Sequence, residues 1–416
     1  MPEVHKREFH GRQGRVLNWA SIIDDNALAQ ALQIACGHVT EGHVAVMPDA
    51  HFGMGACVGT AIVTRGGIYP AAVGVDIGCG MIATRTDIPA ASLDLGMRRR
   101  LRNAIAERVP SGVGTNHKKP TEHWHRFVER WAVAPSVEDG WLAAQQSRHD
   151  SQHFGAIMAS QFGTLGAGNH FVELSEDAEG LTWAIVHSGS RGIGNNLAMA
   201  HVKVAQQQCA DLGADLEHRD LSFLTEGTPE FDRYIGDMLW AQHYAAEQRE
   251  AMMLEVLREL EARAGSLGTL ESVNCHHNYS EHREDGAWLS RKGAVDASLD
   301  KRAVLPGSMG TDSYIVRGLG NANSYETAPH GAGRVSSRGR PAKGTKAATG
   351  AYARFTVEEF TARMEARGVV WQDRDALNLL DESPMVYKPI EVVLADSADL
   401  IEPVHRLQQF VNYKGL

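Results

Sequence analysis

The sequence lacks the features that identify several large classes of protein. No stretch approaches the roughly eighteen consecutive apolar residues of a membrane-spanning helix, and the N-terminal segment has no apolar core of the kind found in secretory signal peptides. The five cysteines are widely spaced and form no CxxC pair, which argues against a disulfide framework or a zinc ribbon. Neither an internal repeat nor a Walker A motif occurs. We therefore expect a cytoplasmic protein in which any functional cysteine is a ligand or a nucleophile.

The charge balance is acidic overall but varies along the chain. A net charge of −10 argues against a nucleic-acid partner, because phosphate binding depends on lysine and arginine. Two local segments are basic, however: residues 98–102 on a predicted helix, and the polar residues 335–350, which predict a mobile loop. The 20 histidines are the unusual feature, since several lie beside glycine, asparagine or serine in short polar turns.

An aspartate and a cysteine lie three residues apart in the glycine-rich segment 73–80. Asp76 offers a hard oxygen ligand and Cys79 a soft sulfur ligand, and the surrounding glycines permit positive φ angles and close backbone approach. Taken alone, such a segment is more often a turn around a buried structural cysteine. It becomes a candidate metal site only if other ligand-type residues accompany it.

Several histidines occupy similar positions, after a glycine turn or at the end of a strand-like run. His170, His187 and His277 are the main candidates. Any one of them is more often a hydrogen-bonded turn residue, but three imidazoles with Asp76 and Cys79 exceed what one tetrahedral ion needs. We therefore predict a two-metal site bridged by Cys79, which could hold Zn, Mn, Fe or Co. The reserve candidates are Asp49, His51 and His276.

A two-metal site favours phosphoryl chemistry, because two cations neutralise charge on both the attacking and the leaving oxygens. Three glycine turns could point backbone amides at an anion, with Ser308, Ser313 and Asn169 as added donors. These turns comprise residues 163–168, 307–310 and 331–333. His330 directly precedes the last turn. We expect it to be an exposed imidazole, which could act equally well as metal ligand, general base or nucleophile.

Nine motifs, in this order, resemble the RtcB family of RNA-splicing ligases. They are GVDIGCGM, LGAGNHFVE, VHSGSRGIGN, NCHHNY, RKGAV, PGSMGTDSYIVRGLGN, HGAGRV, YK and the terminal KG. The resemblance extends from about residue 43 to the end of the chain, and the motifs are long and idiosyncratic. Two departures from the family pattern are the long basic segment 336–350 and Pro329 before His330.

The resemblance implies a GTP- and manganese-dependent ligase that joins RNA ends bearing a 2′,3′-cyclic phosphate or 3′-phosphate to 5′-hydroxyl ends. His330 would be the nucleophile that becomes guanylylated. The implied manganese ligands are Cys79 at both ions, His187 and His277 at one ion, and Asp76 and His170 at the other. The implied guanylate-binding residues are Asn169, Glu173, Ser308, Ser313, Ala332, Gly333, Tyr387 and Lys414. Tyr387 would stack on the base, and Glu173 and Lys414 would contact its edge or the nearby ring.

Two other functions remain open from the residues themselves. A two-metal phosphodiesterase that only opens cyclic phosphates would need the metal ligands but not His330, Glu173 or Lys414. A guanine-nucleotide or RNA-binding protein would bind GTP without a covalent label. The physiological RNA, the oligomeric state and the need for an activating protein are likewise open. RNA contact is predicted on the basic surfaces of residues 334–354 and 98–102.

Strand-like runs that alternate with glycine turns and a few long helices predict an α+β fold with mixed sheets. The resemblance implies one compact RtcB-like domain over residues 1–416, with helices around the sheets and no Rossmann strand order. The clearest helices are predicted over residues 25–36, 93–109, 195–209 and 229–264, and residues 111–125 are predicted as an exposed loop.

Overall fold

The computed structural model describes residues 2–146, 150–335 and 356–415. The predicted segment 336–350 therefore lies outside the described residues. The strands are β1 Glu3–Phe9, β2 Arg12–Asn18, β3 Thr40–His51, β4 Val58–Thr64, β5 Gly67–Ile68, β6 Gly80–Pro89, β7 Phe171–Glu176, β8 Leu181–Ser188, β9 Leu224–Thr225, β10 Thr269–His276, β11 Asn278–His282, β12 Trp288–Lys292, β13 Ala294–Asp296, β14 Arg302–Leu305, β15 Ser313–Gly318, β16 Thr327–Pro329 and β17 Ile401–Lys414. The helices are α1 Asp25–Ala35, α2 Pro70–Val73, α3 Leu95–Arg108, α4 Glu122–Trp131, α5 Pro135–Glu138, α6 Trp141–Gln145, α7 Ser151–Gln161, α8 Arg191–Asp211, α9 Pro229–Ala264, α10 Val357–Ala366 and α11 Ile390–Asp396.

Two large sheets form the centre of the molecule. One has the strand order β1-β2-β3-β4-β12-β11 and the other β10-β6-β8-β7-β17-β15-β14. The pair β2–β3 is parallel, and the other neighbours in these sheets are antiparallel. The predicted mixed-sheet fold without Rossmann order is thus confirmed.

The seven-stranded sheet is buried on both faces, as the alternating side chains of β8 show. Trp183 and Ile185 pack into the core between the two large sheets, whereas Ala184 and Val186 pack toward α3 and α9. This period of two is the geometry of a strand, and apolar residues on both faces place the strand between two layers. On the outer face of the six-stranded sheet, α1 packs against β3 and β4 together with residues of α2 and α8.

Helix α9 has the bounds that the sequence predicts. The hydroxyl of Thr228 accepts a hydrogen bond from the Phe231 amide at the N-terminus, Pro229 occupies the first turn, and Gly265 ends the helix at φ 101°. The prediction of an exposed loop over residues 111–125 is wrong for its last residues. Helix α4 begins at Glu122, because Thr121 caps it and Trp124 and Phe127 face the core. Within the described residues, none of the helices is both long and apolar enough to cross a membrane.

Candidate active site and metal-ligand cluster

Strands β6 and β10 bring two ligand-type side chains to one edge of the seven-stranded sheet. Cys79 directly precedes β6, and His277 directly follows β10. The strands are antiparallel with Gly80 opposite His276, so the start of one strand meets the end of the other. The His277 amide donates to the Cys79 carbonyl at 2.8 Å. Backbone pairing therefore fixes the two side chains next to each other.

Strands β8 and β7 complete the same edge. His187 lies opposite Met81 of β6 and opposite Phe171 of β7, and His170 directly precedes β7. Gly78 at φ +73° lets the turn before Cys79 pass against α9, where a Cβ atom would lie only 2.8 Å from a helix Cα atom. The register of three antiparallel pairs thus determines where the histidines point.

Five of the predicted ligands form two groups that share Cys79. The Cys79 Sγ lies 3.5 Å from His170 Nε2 and 3.4 Å from His187 Nε2. His187 Nε2 lies 2.9 Å from His277 Nε2, and His170 Nε2 lies 3.1 Å from Asp76 Oδ2. Ligands of one tetrahedral ion, each about 2.0–2.3 Å from it, are separated by about 3.3–3.8 Å. The two thiol–imidazole spacings lie in this range, and the other two are slightly shorter. The donor set of thiol, imidazole and carboxylate suits divalent cations.

The cluster is buried, and burial dominates its electrostatics. Burial lowers the pKa values of His187 and His277 well below the ordinary range, and neighbouring histidines lower them further. Burial raises the pKa of the Cys79 thiol, and the Asp76 charge adds to this. For Asp76 itself, burial would raise the pKa, but the hydrogen bond and charge of His170 hold it below its ordinary value. The imidazoles of His187 and His277 are thus kept neutral, which is the form that binds a metal.

His330 and Asp49 form a hydrogen-bonded pair beside the cluster. Asp49 Oδ2 accepts from the His330 backbone amide at 3.0 Å and lies 2.6 Å from His330 Nδ1. The His330 ring centroid lies 4.5 Å from that of His277. The predicted exposed imidazole is wrong, because only 14% of the His330 side chain is exposed and the Asp49 side chain is fully buried. A carboxylate on Nδ1 leaves Nε2 as the nitrogen with the lone pair.

Two features hold Asp49 in place. Lys388 Nζ donates to the carbonyls of Pro48 and Ala50 at 2.8 Å each, and its backbone amide donates to the Gly333 carbonyl at 2.9 Å. Burial lowers the pKa of Lys388 to about 8. Gly333 has φ +70°, and a Cβ atom there would overlap the Asp49 backbone. Segments far apart in sequence are therefore packed tightly around the carboxylate.

A cavity of about 390 Å³ opens onto both the cluster and His330. Five of the predicted guanylate-binding residues line it, namely Asn169, Ala332, Gly333, Tyr387 and Lys414. The Tyr387 hydroxyl donates to Glu382 at 2.7 Å, and Lys414 Nζ lies 3.0 Å from the same carboxylate. The cavity thus joins glycine-turn backbone, an aromatic ring and a cation on one side to the ligand-type side chains on the other.

Three predicted nucleotide contacts do not line this cavity. Glu173 is buried, and it accepts hydrogen bonds from Ser175 at 2.5 Å and from Ser313 at 3.3 Å. Burial raises the pKa of Glu173 to about 7, although these two hydrogen bonds act to lower it. Ser308 is also buried, and its hydroxyl lies 3.3 Å from that of Thr311. These side chains hydrogen-bond to protein groups in the structure.

The reserve candidates belong to neither ligand group. His51 Nδ1 lies 3.1 Å from the Asp49 carbonyl, and burial lowers its pKa to about 4. His276 Nδ1 lies 2.9 Å from the Gly78 carbonyl, and burial lowers its pKa to about 3. Asp49, predicted as a reserve ligand, contacts His330 instead.

The two predicted RNA surfaces differ in the described residues. Arg334 is buried and lies 3.6 Å from Glu382, so it is not a surface cation. Residues 336–354 lie outside the described residues. In the cluster 98–102, Arg98 donates to the Leu93 carbonyl and covers the Phe410 ring, whereas Arg99 and Arg100 are exposed, so RNA contact at this cluster stays a prediction.

Sequence reasoning missed the buried cations that donate to backbone carbonyls. Arg249 donates to the carbonyls of Gly78 and Ser188, Lys388 to those of Pro48 and Ala50, and Lys292 to those of Met54 and Ala71. Lysine and arginine are usually solvated, so residue type does not indicate their burial. For Arg249 alone, the helical spacing from Ala245 and Met252 could have indicated it. The YK and RKGAV motifs contain two of the three, but motif membership does not indicate burial.

Comparison with known proteins identifies the family of this chain. The family described as tRNA-splicing ligase RtcB matches residues 30–415. The chain is 39% identical to the RNA-splicing ligase RtcB of Escherichia coli K12 over 393 residues, which cover 90% of each protein. It is 28% identical to the tRNA-splicing ligase RtcB of Aeropyrum pernix over 430 residues, covering 89% of this chain and 87% of that protein. The chain therefore belongs to the RtcB family of RNA-splicing ligases.

Proposed function

We propose that this protein is a GTP- and manganese-dependent RNA ligase that joins 2′,3′-cyclic phosphate or 3′-phosphate ends to 5′-hydroxyl ends. One observation carries the proposal. The imidazole of His330, held by Asp49, lines the same cavity as Asp76, His187 and His277, three of the five clustered ligand-type side chains. A nucleophile and a pair of cation sites around one cavity suit phosphoryl transfer. The names of the relatives supply the RNA-ligase class.

The five clustered side chains are the proposed ligands of two manganese ions. They are Cys79 at both ions, His187 and His277 at one, and Asp76 and His170 at the other. When bound, such ions neutralise charge on phosphate oxygens and activate water for opening a cyclic phosphate.

His330 is the proposed nucleophile toward GTP. Asp49 accepts from Nδ1–H, so Nε2 attacks the α-phosphorus of GTP while the carboxylate stabilises the positive charge that develops on the ring. A P–N bond forms, and the bond between the α-phosphorus and the pyrophosphate oxygen breaks. The protein thereby stores GMP as a phosphoramidate with an imidazole leaving group.

The remaining steps transfer GMP to the RNA and then displace it. An oxygen of the RNA 3′-phosphate attacks the stored phosphorus and breaks the P–N bond to His330. The RNA 5′-hydroxyl then attacks the 3′-phosphorus, forms the new phosphodiester and releases GMP. Each step has a better leaving group than direct condensation of a phosphate and a hydroxyl.

The guanylate is proposed to occupy the cavity, with Tyr387 against the base and Lys414 near its edge. Asn169, Ala332 and Gly333 line the same space. For Glu173, Ser308 and Ser313, contact with the nucleotide requires that present hydrogen bonds to protein groups be exchanged for bonds to guanylate. A carboxylate such as Glu173 can accept from the N1 and N2 donors of guanine.

The decisive experiment is covalent labelling with GTP carrying a label on the α-phosphate, in the presence of manganese. We expect a protein-bound label that acid removes and base does not, and that is lost in His330→Ala. His218→Ala is the control, because that imidazole is exposed and pairs locally with Asp220. An unlabelled wild-type protein that opens cyclic phosphates would instead be a phosphodiesterase, and GTP binding without label or ligation would indicate a binding protein.

A further inference from the structure

One arginine contacts three residues, each of which is the direct sequence neighbour of a proposed ligand. Arg249 lies on α9 and is fully buried. Its NH1 group donates to the carbonyl of Gly78, the residue before Cys79, at 2.7 Å, and to the carbonyl of Ser188, the residue after His187, at 3.1 Å. Its NH2 group lies 3.2 Å from Nδ1 of His276, the residue before His277.

The guanidinium donates four hydrogen bonds to neutral oxygens. Besides those two carbonyls, the Asn274 amide oxygen accepts from Nε at 3.2 Å and from NH2 at 3.1 Å. Burying a cation without a close carboxylate costs free energy. The planar guanidinium makes several hydrogen bonds that an apolar side chain could not make. Arg249 is also the wrong charge to attract a metal cation directly.

Neighbouring side chains of α9 contact the same region. Gln248 Nε2 donates to the Gly189 carbonyl, and the Ser280 amide donates to Gln242 Oε1 at 2.9 Å. Helix α9 therefore binds the turns before β6, after β8 and around β11 with polar side chains, in addition to its apolar packing.

We propose that Arg249 is a positioning residue of the metal-ligand cluster, whose planar fork fixes Cys79, His187 and His277 relative to one another through the adjacent backbone. The inference rests on the proposed metal-dependent function. It deepens that function by assigning a role to a residue that contacts neither metal nor substrate. A planar guanidinium can serve two carbonyls in a fixed geometry, whereas a lysine cannot reproduce the fork.

The test is cobalt binding by the full-length protein freed of metal with a chelator. Cobalt chloride is titrated into wild type, Arg249→Met, Arg249→Lys and the control Arg258→Met, while thiolate-to-cobalt absorption and chelator competition report the site. Arg258 lies on the same helix and is largely exposed. We expect about 10- to 100-fold weaker cobalt binding in Arg249→Met, a smaller loss in Arg249→Lys, and wild-type affinity in the control.

The sign of the effect separates positioning from charge. Removing a positive charge alone would tighten cation binding, so equal or tighter binding in Arg249→Met would overturn the inference. Should Arg249→Met fail to fold by circular dichroism, Arg249→Lys decides, and wild-type affinity in that variant would also overturn it. Absence of thiolate-to-cobalt absorption in the wild type would refute the metal part of the proposed function. That result differs from failure of the positioning role, in which the wild type binds cobalt and the Arg249 variants bind it equally well.

Discussion

The metal-ligand cluster and the His330–Asp49 pair open onto one cavity, yet the chain builds them differently. The cluster is assembled at one edge of a single sheet, where the register of neighbouring strands fixes most of its ligands. The pair joins β3 to the residue after β16, across 281 positions, through two hydrogen bonds to one carboxylate oxygen. The arrangement of the cluster therefore follows from backbone pairing between strands, whereas the pair depends on local packing around Asp49.

This difference predicts how each part fails. Losing one ligand should abolish the cluster but leave the strands paired, because the backbone and not the side chain sets their register. Losing a support of Asp49 should leave the cluster intact and impair only His330, the proposed nucleophile.

Cys79→Ala should remove both cation sites at once, because this thiol belongs to both ligand groups. We expect loss of bound manganese by elemental analysis and of all ligation and labelling activity. Cys209→Ala is the matched control, since Cys209 is also buried but lies on α8 outside the ligand groups. Full activity in Cys79→Ala would refute the shared-ligand assignment.

Asp49→Asn should slow guanylylation by about 10²- to 10⁴-fold while cobalt binding stays unchanged. The amide retains the shape but cannot stabilise a charged imidazole on His330 or enforce its tautomer. Single-turnover labelling with GTP measures the rate, and Asp232→Asn on the exposed side of α9 is the control. A parallel loss of metal would show that the pair and the cluster are not separable.

Glu173→Gln should change how stability depends on pH. The folded-state pKa of about 7 lies above the ordinary value of 4.5, so the folded protein binds a proton that the unfolded chain has released between these values. The stability of the wild type should therefore fall as pH rises from 4.5 to 7, by about 3 kcal/mol at most for this group. Urea unfolding of both proteins at pH 5 and pH 8 measures the difference.

The Gln variant should lack this part of the decline, and Glu176→Gln in the same strand should retain it. An identical pH dependence in Glu173→Gln and wild type would mean that Glu173 titrates in the same range whether the chain is folded or unfolded.

Lys388→Met should have the smallest effect, a decrease of about 10-fold in the labelling rate. Asp49 would keep its hydrogen bonds to His330, but the carbonyls of Pro48 and Ala50 on either side would lose their hydrogen bonds to the lysine. The Michaelis constant for GTP and the affinity for cobalt should not change. Lys203→Met, on an exposed part of α8, is the control. A change in cobalt affinity would show that Lys388 also acts on the cluster.

The sequence predicted which ligand-type side chains the structure brings together, and it predicted the longest helix. Cys79 and the three histidines stand beside glycine turns or at strand ends, and α9 carries a capping hydroxyl, a first-turn proline and a terminal glycine. Glycine turns and caps are local signals, so a single sequence contains them.

The contacts that support the site could not be predicted in the same way. The Asp49–His330 hydrogen bond, the burial of His330 and the carbonyl contacts of Arg249 depend on pairing between distant segments. Helical spacing distinguishes Arg249, which lies on the apolar stripe of α9 with Ala245 and Met252, from the exposed Arg258 on the opposite face. Only the assembled sheets reveal which carbonyls the buried arginine contacts.

The strand register behind the cluster has a thermodynamic consequence. Because backbone pairing arranges most of the ligands, the cation sites are built by folding itself, unlike those of a zinc finger, whose fold requires the metal. Metal should then stabilise the folded state only by mass action, which adds RT ln(1 + [metal]/Kd) to the free energy of unfolding. A protein with the proposed cation sites would thus lose and regain metal without unfolding, and the concentration of free metal would set its loaded fraction.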